Sequence, residues 1–215
     1  MNQVSMSTPA NTPPAPRSLD VSGLPSHAFG HRAPLWWGVL LMVAIEATTM
    51  ALLLVSYLYL RGNDDAWRPL RLSWRILELA IVQMALLVAS VVPTMASVRA
   101  ARAGRLRATR SWLLVATVLG VLMLALRGLE IRWLPFRWDT DARGSVFWMT
   151  FGLHTAHMVT GVLENGMILA LLYAGRVEEK HFGDVEAGAL LWYFCVLEWV
   201  PALALLYFDP LLWPT

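Results

Sequence analysis

Residues 145–174 read SVFWMTFGLHTAHMVTGVLENGMILALLYA, a run longer than the ~20 residues a helix needs to cross about 30 Å of hydrocarbon. The run is apolar enough to enter a bilayer, yet it carries His154, His157 and Glu164 at its centre. An ionisable side chain at mid-bilayer costs about 2.5–3.5 kcal/mol even on the lenient insertion scale, so something other than lipid has to surround these groups. Their spacing says what. His154, His157, Gly161 and Glu164 follow the three-and-four pattern that stacks residues on one helical face, so a single stripe can turn inward while the rest of the helix meets lipid. The stretch therefore reads as one transmembrane helix of a bundle with a polar seam. Gly152, Gly161 and Gly166 on the same helix predict close helix contacts, as small residues allow in membranes.

Working outward, four more apolar runs of spanning length occupy about 35–60, 75–98, 111–129 and 187–208. The composition agrees: of 215 residues, 57% are hydrophobic, 15% are charged and 11 are tryptophan, against about 45–50% apolar and about 25% charged in soluble domains. The expected fold is all-α, a polytopic membrane bundle of five transmembrane helices over residues 35–209. A proline-rich tail over 1–34, with Pro9, Pro13, Pro14, Pro16, Pro25 and Pro34, reads as flexible, and 210–215 as a short outer tail. The first apolar run is too long for a signal peptide, so it is expected to stay in the membrane.

Orientation follows from the basic residues, which are retained on the cytoplasmic side. Arg99, Arg102, Arg105, Arg107 and Arg110 fall in RAARAGRLRATR without an acidic neighbour, whereas the segments at 61–75 and 130–144 mix their arginines with Asp64, Asp65, Asp139 and Asp141. This predicts a cytoplasmic loop at 99–110, a cytoplasmic amino terminus and a carboxyl terminus on the outer side. Trp36, Trp37, Trp67, Trp74, Trp112, Trp133, Trp138 and Trp213 lie at span ends and read as interfacial anchors. A net charge of +2 with no basic segment interleaved with aromatics gives no sign of nucleic-acid binding.

Three spans bring a polar group to similar depth: Glu46, His157 and Glu198. His154, Glu130, Glu164 and these three form the set of buried polar or proton-related candidates. Arg127 and Glu130, spaced i, i+3, are expected to pair on the helix surface near the interface, as are Arg75 and Glu78. Pro93 and Pro201 are expected to kink their helices. Cys195, the sole cysteine, excludes a disulfide framework and reads as a small core residue. Two histidines three residues apart project from one side of a helix and cannot supply opposite axial positions of one haem iron, and no further intramembrane histidine faces them. Paired Glu-x-x-His motifs for a di-iron site are also absent. No metal ligands and no catalytic residues are therefore assigned. A small proton-coupled transporter using Glu46 and Glu198 would want repeat symmetry or interrupted helices, which the sequence lacks.

Several segments, in order, resemble subunit III of the haem-copper respiratory oxidases. WWGVLLMVAIEATTMALLLVSYLYLR looks like the family's third helix, with its buried glutamate at Glu46, and LRGLEI looks like the end of the fifth, with Glu130. FGLHTAHMVTG resembles the sixth-helix signature, carried by Gly152, His154, His157 and Gly161. KHFGDVEAGALLWYF resembles the loop and start of the last helix, with His181, Phe182, Gly183, Glu186, Trp192 and Phe194, followed by Trp199. The first two helices of the seven-helix form are missing, as in the short five-helix bacterial members. Departures are equally specific: Tyr193 stands where many members have histidine, Val196 where they have aspartate, and Glu198 lies two positions on, about 200° around the helix. Glu164 is outside the usual pattern.

The resemblance implies an integral subunit of an oxidoreductase and translocase complex of the cytochrome c oxidase type, acting in aerobic respiration, with no redox centre of its own. Haem and copper are then expected in partner subunits, a catalytic subunit I and a subunit II, with structural phospholipid bound. It further implies support of stability, proton uptake and lipid or oxygen access in a bacterial inner membrane. Accessory subunits of nitric-oxide reductases and quinol oxidases belong to the same superfamily and are the alternative.

Overall fold

The computed structural model describes residues 28–64, 67, 72–175 and 181–212, with side chains to residue 209. Most of the expected 1–34 tail and residues 213–215, with Trp213, lie outside the described residues, whereas 210–212 of the expected outer tail continue the last helix. After one 3-10 turn at Gly30–Arg32 come five helices: α1 (Pro34–Asn63), α2 (Trp74–Arg102), α3 (Leu106–Trp133), α4 (Ala142–Tyr173) and α5 (His181–Leu212). All five are long and apolar enough to cross a membrane. Four of them overrun the expected spans at both ends, and α4 overruns only at its start, ending at Tyr173, because an apolar run marks only the part of a helix that hydrocarbon would cover. Local signals set several boundaries. Pro34 opens α1, where its missing N–H costs nothing. Asp141 caps α4 by accepting a hydrogen bond from the Gly144 N–H at 2.7 Å.

Two expected loops are helical instead. The segment 99–110 belongs to α2 as far as Arg102 and to α3 from Leu106. Only Ala103–Arg105 turns, around Gly104 at φ 65°, a left-handed conformation that glycine adopts without penalty. Arginine and alanine are good helix formers, so a dense run of arginines does not end a helix. His181, Phe182 and Gly183, expected in a loop, form the first turn of α5.

The helices alternate in direction, and α5 is the inner one. It packs on α1, α2 and α4, while α3 closes the ring between α2 and α4. Burial follows this order: 61% of the central window of α5 is buried against 6% for α1, which makes α5 the core helix and α1 the peripheral one. Trp192 of α5 fixes the junction. Its ring fills the gaps left by Gly120 and Gly161, where an added Cβ would come within 3.2 and 2.9 Å of ring carbons, and its indole N–H donates to Ser90 Oγ of α2 at 2.8 Å. Gly161 thus makes the close contact expected of it. Gly152 and Gly166 do not, since a Cβ at either would meet nothing within 4 Å. Both α2 and α5 continue through Pro93 and Pro201; around Pro93 the hydroxyls of Ser90 and Thr94 donate to the carbonyls of Leu87 and Ser90.

Trp37, Trp74, Trp112, Trp133 and Trp138 are exposed at helix ends, as anchors should be. Trp67 is different: it packs on the core and meets Tyr57 edge-on at 5.3 Å. Cys195 is fully buried, consistent with a core role.

Candidate functional site: two polar clusters in the bundle

The seam of α4 feeds two separate clusters, one turn apart. The first gathers Gln83 of α2, Arg127 and Glu130 of α3, His154 of α4 and Tyr207 of α5, all buried. Glu130 accepts from Gln83 Nε2 at 2.7 Å, from Arg127 Nη1 at 3.0 Å and from the Tyr207 hydroxyl. Arg127 Nη2 reaches His154 Nδ1 at 3.1 Å, and the guanidinium lies 4.5 and 4.4 Å from the ring centroids of Phe151 and Trp199. His154 Nε2 meets the Cys195 carbonyl at 3.2 Å, and its ring stacks on Trp199 at 4.1 Å.

These partners fix the imidazole. Arginine has donors only, so His154 Nδ1 accepts; the carbonyl of Cys195 accepts only, so Nε2–H donates. His154 is the neutral Nε2–H tautomer, locked from both sides. Arg127 and Glu130 do pair as expected, but not on the helix surface near the interface: both are fully buried, because α2, α4 and α5 close over them. Arg75 and Glu78, by contrast, are both exposed, and no ion pair of either is found among the described residues.

The second cluster spans three helices. His157 of α4 lies between two carboxyls, with Nδ1 at 2.7 Å from Glu198 Oε1 of α5 and Nε2 at 3.1 Å from Glu46 Oε2 of α1. The side chains of Glu198 and His157 are 2% and 10% exposed, that of Glu46 33%, so the cluster opens toward one edge of the bundle. Glu198 Oε2 is buried without a partner. Phe194 flanks the His157 ring at 5.5 Å.

The remaining candidates sit elsewhere. Glu164 is half-buried against Gly188 of α5 and makes no hydrogen bond among the described residues. Glu186 is the acidic end of a clasp that accepts from Arg102 of α2 and from the Gly30 N–H at 3.0 Å, tying the pre-helical segment to the bundle. Gly183 lies in the same place, its added Cβ 3.6 Å from the Ala28 carbonyl. Phe182 packs with Leu113, Ile168 and Leu172 in a second apolar cluster, and His181 begins α5. Gly152 stays exposed on α4.

Sequence reading missed Gln83, Tyr207 and Asp209. Gln83 is an amide inside the apolar run at 75–98, a signal that was present, since hydrocarbon disfavours it as it does a carboxylate. Tyr207 resembles an interfacial aromatic and gives no such signal. Asp209 lies at the edge of the expected span and accepts from Arg61 Nε at 2.7 Å, joining the C-terminal ends of α1 and α5. Among the described residues no group of three histidines, cysteines or carboxylates converges to hold a metal ion. All four imidazole nitrogens of His154 and His157 are engaged by protein groups, so ligating iron or copper would require breaking those bonds.

Comparison with known proteins points one way. A family model described as cytochrome c oxidase subunit III matches residues 21–213. A cytochrome c oxidase subunit 3 of Synechocystis is 26% identical over 208 residues, covering 93% of this chain and 88% of the relative. A probable cytochrome c oxidase subunit 3 of Nocardia farcinica is 26% identical over 179 residues, covering 80% and 86%. The wheat (Triticum aestivum) subunit 3 is 33% identical over a shorter 88-residue stretch, 40% of this chain and 33% of the relative.

Proposed function

The chain belongs to the cytochrome c oxidase subunit III family, and from that premise we propose that it is the non-catalytic scaffold of a proton-pumping terminal oxidase, seated on a catalytic haem-copper subunit I beside a subunit II. It is a multi-pass membrane protein and a subunit III of a haem-copper oxidase. Its part in the complex is to stabilise the catalytic subunit and to support proton uptake and lipid or oxygen access, with structural phospholipid bound. Haem and copper belong to the partners. The arginines at 99–110 support a cytoplasmic amino terminus in a bacterial inner membrane, with the carboxyl terminus outside.

One observation carries the reading. The histidines that would be needed for redox chemistry are spent on internal hydrogen bonds, His154 to Arg127 and the Cys195 carbonyl, His157 to two glutamates. These two imidazoles hold four helices together, so either would have to give up a hydrogen bond to ligate iron. The test is isolation of the tagged chain from its native membrane. Co-isolation with a haem-bearing partner, with oxidase turnover that declines faster in membranes lacking this chain, is the expected result. Recovery of the tagged chain from its native membrane with no haem-bearing partner, and oxidase turnover unchanged in membranes lacking it, overturns the reading.

A further inference from the structure

The contacts around His157 fix a proton count. Each N···O contact, 2.7 Å to Glu198 and 3.1 Å to Glu46, contains one hydrogen, so the three side chains share at least two protons. Either His157 is an imidazolium between two carboxylates, or it is a neutral ring between a carboxylate and a carboxylic acid. Both arrangements carry a net charge of −1.

No cation among the described residues offsets that charge. From α4 the neighbouring titratable group is His154, neutral by its own hydrogen bonds; from α5 it is the thiol of Cys195; α1 contributes Glu46 itself. Arg127 of α3 is taken up by Glu130 and His154, and α2 brings only the uncharged Gln83, which is bound to Glu130. Meanwhile Glu198 Oε2 is buried with no donor. An unpartnered carboxylate oxygen at this depth is far more costly than a neutral hydroxyl. A third proton placed there makes the cluster neutral: an imidazolium paired with the Glu46 carboxylate, and an acid at Glu198 whose Oε1 accepts from Nδ1–H.

We propose that Glu46, His157 and Glu198 form a single intramembrane proton-binding site that takes up its third proton on Glu198, with the partly exposed Glu46 as its point of entry. This rests on the proton-uptake part of the proposed function and gives it an address.

The experiment uses the full chain in lipid nanodiscs, followed by infrared difference spectroscopy through an acid titration in H2O and D2O. A protonated-carboxyl C=O band that grows on acidification and shifts in D2O is expected. Glu198→Gln should remove one carboxyl's share of that band, read from the wild-type-minus-variant spectrum, and lower uptake by one proton per chain, while Glu164→Gln leaves that share in place. A band that Glu198→Gln leaves undiminished in that comparison overturns the proposal. If the variant does not fold, nitrogen NMR of the histidine-labelled native chain decides. At the acid end His157 must carry hydrogen on both ring nitrogens and His154 on one; a single N–H on His157 there refutes the site. Neither readout involves a haem partner, so failure to co-isolate one leaves this result standing, and the converse holds as well.

Discussion

His154 and His157 lie one turn apart on α4, both buried, and each meets carboxyl or carbonyl oxygen from α5, yet the two surroundings differ in closure. Around His154, one guanidinium and one carboxylate cancel, three donors converge on Glu130, and aromatic rings of Phe151 and Trp199 cover both Arg127 and the imidazole. Around His157, two acids face one base, an oxygen of Glu198 is left over, and the Glu46 side chain is one-third exposed. Residue type and depth are shared, so neither determines role. What separates a clamp from an exchangeable site is whether positive and negative charge come out even, since buried atoms without a partner among the described residues occur in both, Gln83 Oε1 and Arg127 Nε in the first and Glu198 Oε2 in the second.

The comparison breaks most easily at Arg127. Removing one partner of a buried ion pair leaves an uncompensated charge, which costs about 3–5 kcal/mol, whereas replacing both partners with neutral groups is far milder. Arg127→Met is therefore expected to lower the stability of the full chain by about that amount, read from thermal unfolding in detergent. Arg127→Met combined with Glu130→Gln should recover more than half of the loss. If the single variant unfolds at the wild-type temperature, the His154 cluster is not the clamp described here.

Packing gives the next test, because the closed cluster depends on α5 being pressed against its neighbours. Gly161→Val would force its Cβ to within 2.9 Å of the Trp192 ring, an overpacking that typically costs about 1–3 kcal/mol. Gly152→Val, with nothing within 4 Å, should stay within about 0.5 kcal/mol of wild type. Equal losses for the two glycines would mean that Trp192 does not set the spacing of the bundle.

The open cluster should then respond weakly. Glu198→Gln keeps shape, and its second oxygen has no partner to lose, so its effect on stability is expected to be about 1 kcal/mol or less, near that of one ordinary hydrogen bond. A loss as large as that of Arg127→Met would erase the distinction between the clusters.

The fold was legible because apolar length over 145–174 and its counterparts is a direct consequence of bilayer thickness. The identities of Glu46, His154, His157, Glu130 and Glu198 were legible for the converse reason, since hydrocarbon penalises them and nothing in a neighbouring sequence masks the anomaly. Their partition into two clusters was not. Periodicity places His154 and His157 on one face of α4, but which helix each meets depends on how α1, α3 and α5 pack, which no local pattern encodes. Arg127 shows the cost of local reasoning: its i, i+3 partner was correct, its depth was not, because an ion pair at an interface and one under three helices have the same spacing. At 99–110 charge density said nothing of the helix end, which Gly104 decides.

The smallest expected effect provides an aqueous reference for all of these. Asp141 lies outside the spans, at the start of α4, where its carboxyl accepts from Gly144 N–H and pairs with Arg143. Slight burial pushes this carboxyl up, but the Gly144 N–H and the Arg143 guanidinium outweigh it and hold it below the ordinary aspartate range. A carboxyl with a depressed folded-state value contributes stability above the unfolded value, near pH 4, and loses it as pH falls through the folded one. Asp141→Asn keeps a capping side chain and removes the charge, so at neutral pH it should be less stable by well under about 1 kcal/mol, as befits an exposed pair. That gap should narrow with added salt and close as the pH is taken below about 4. Paired unfolding curves of wild type and Asp141→Asn across this range check it, and a gap that stays constant into acid would show that the charge on Asp141 contributes nothing to α4. Salt separates this site from the clusters as well: the Arg127 loss, out of reach of mobile ions, should hardly move under the same treatment.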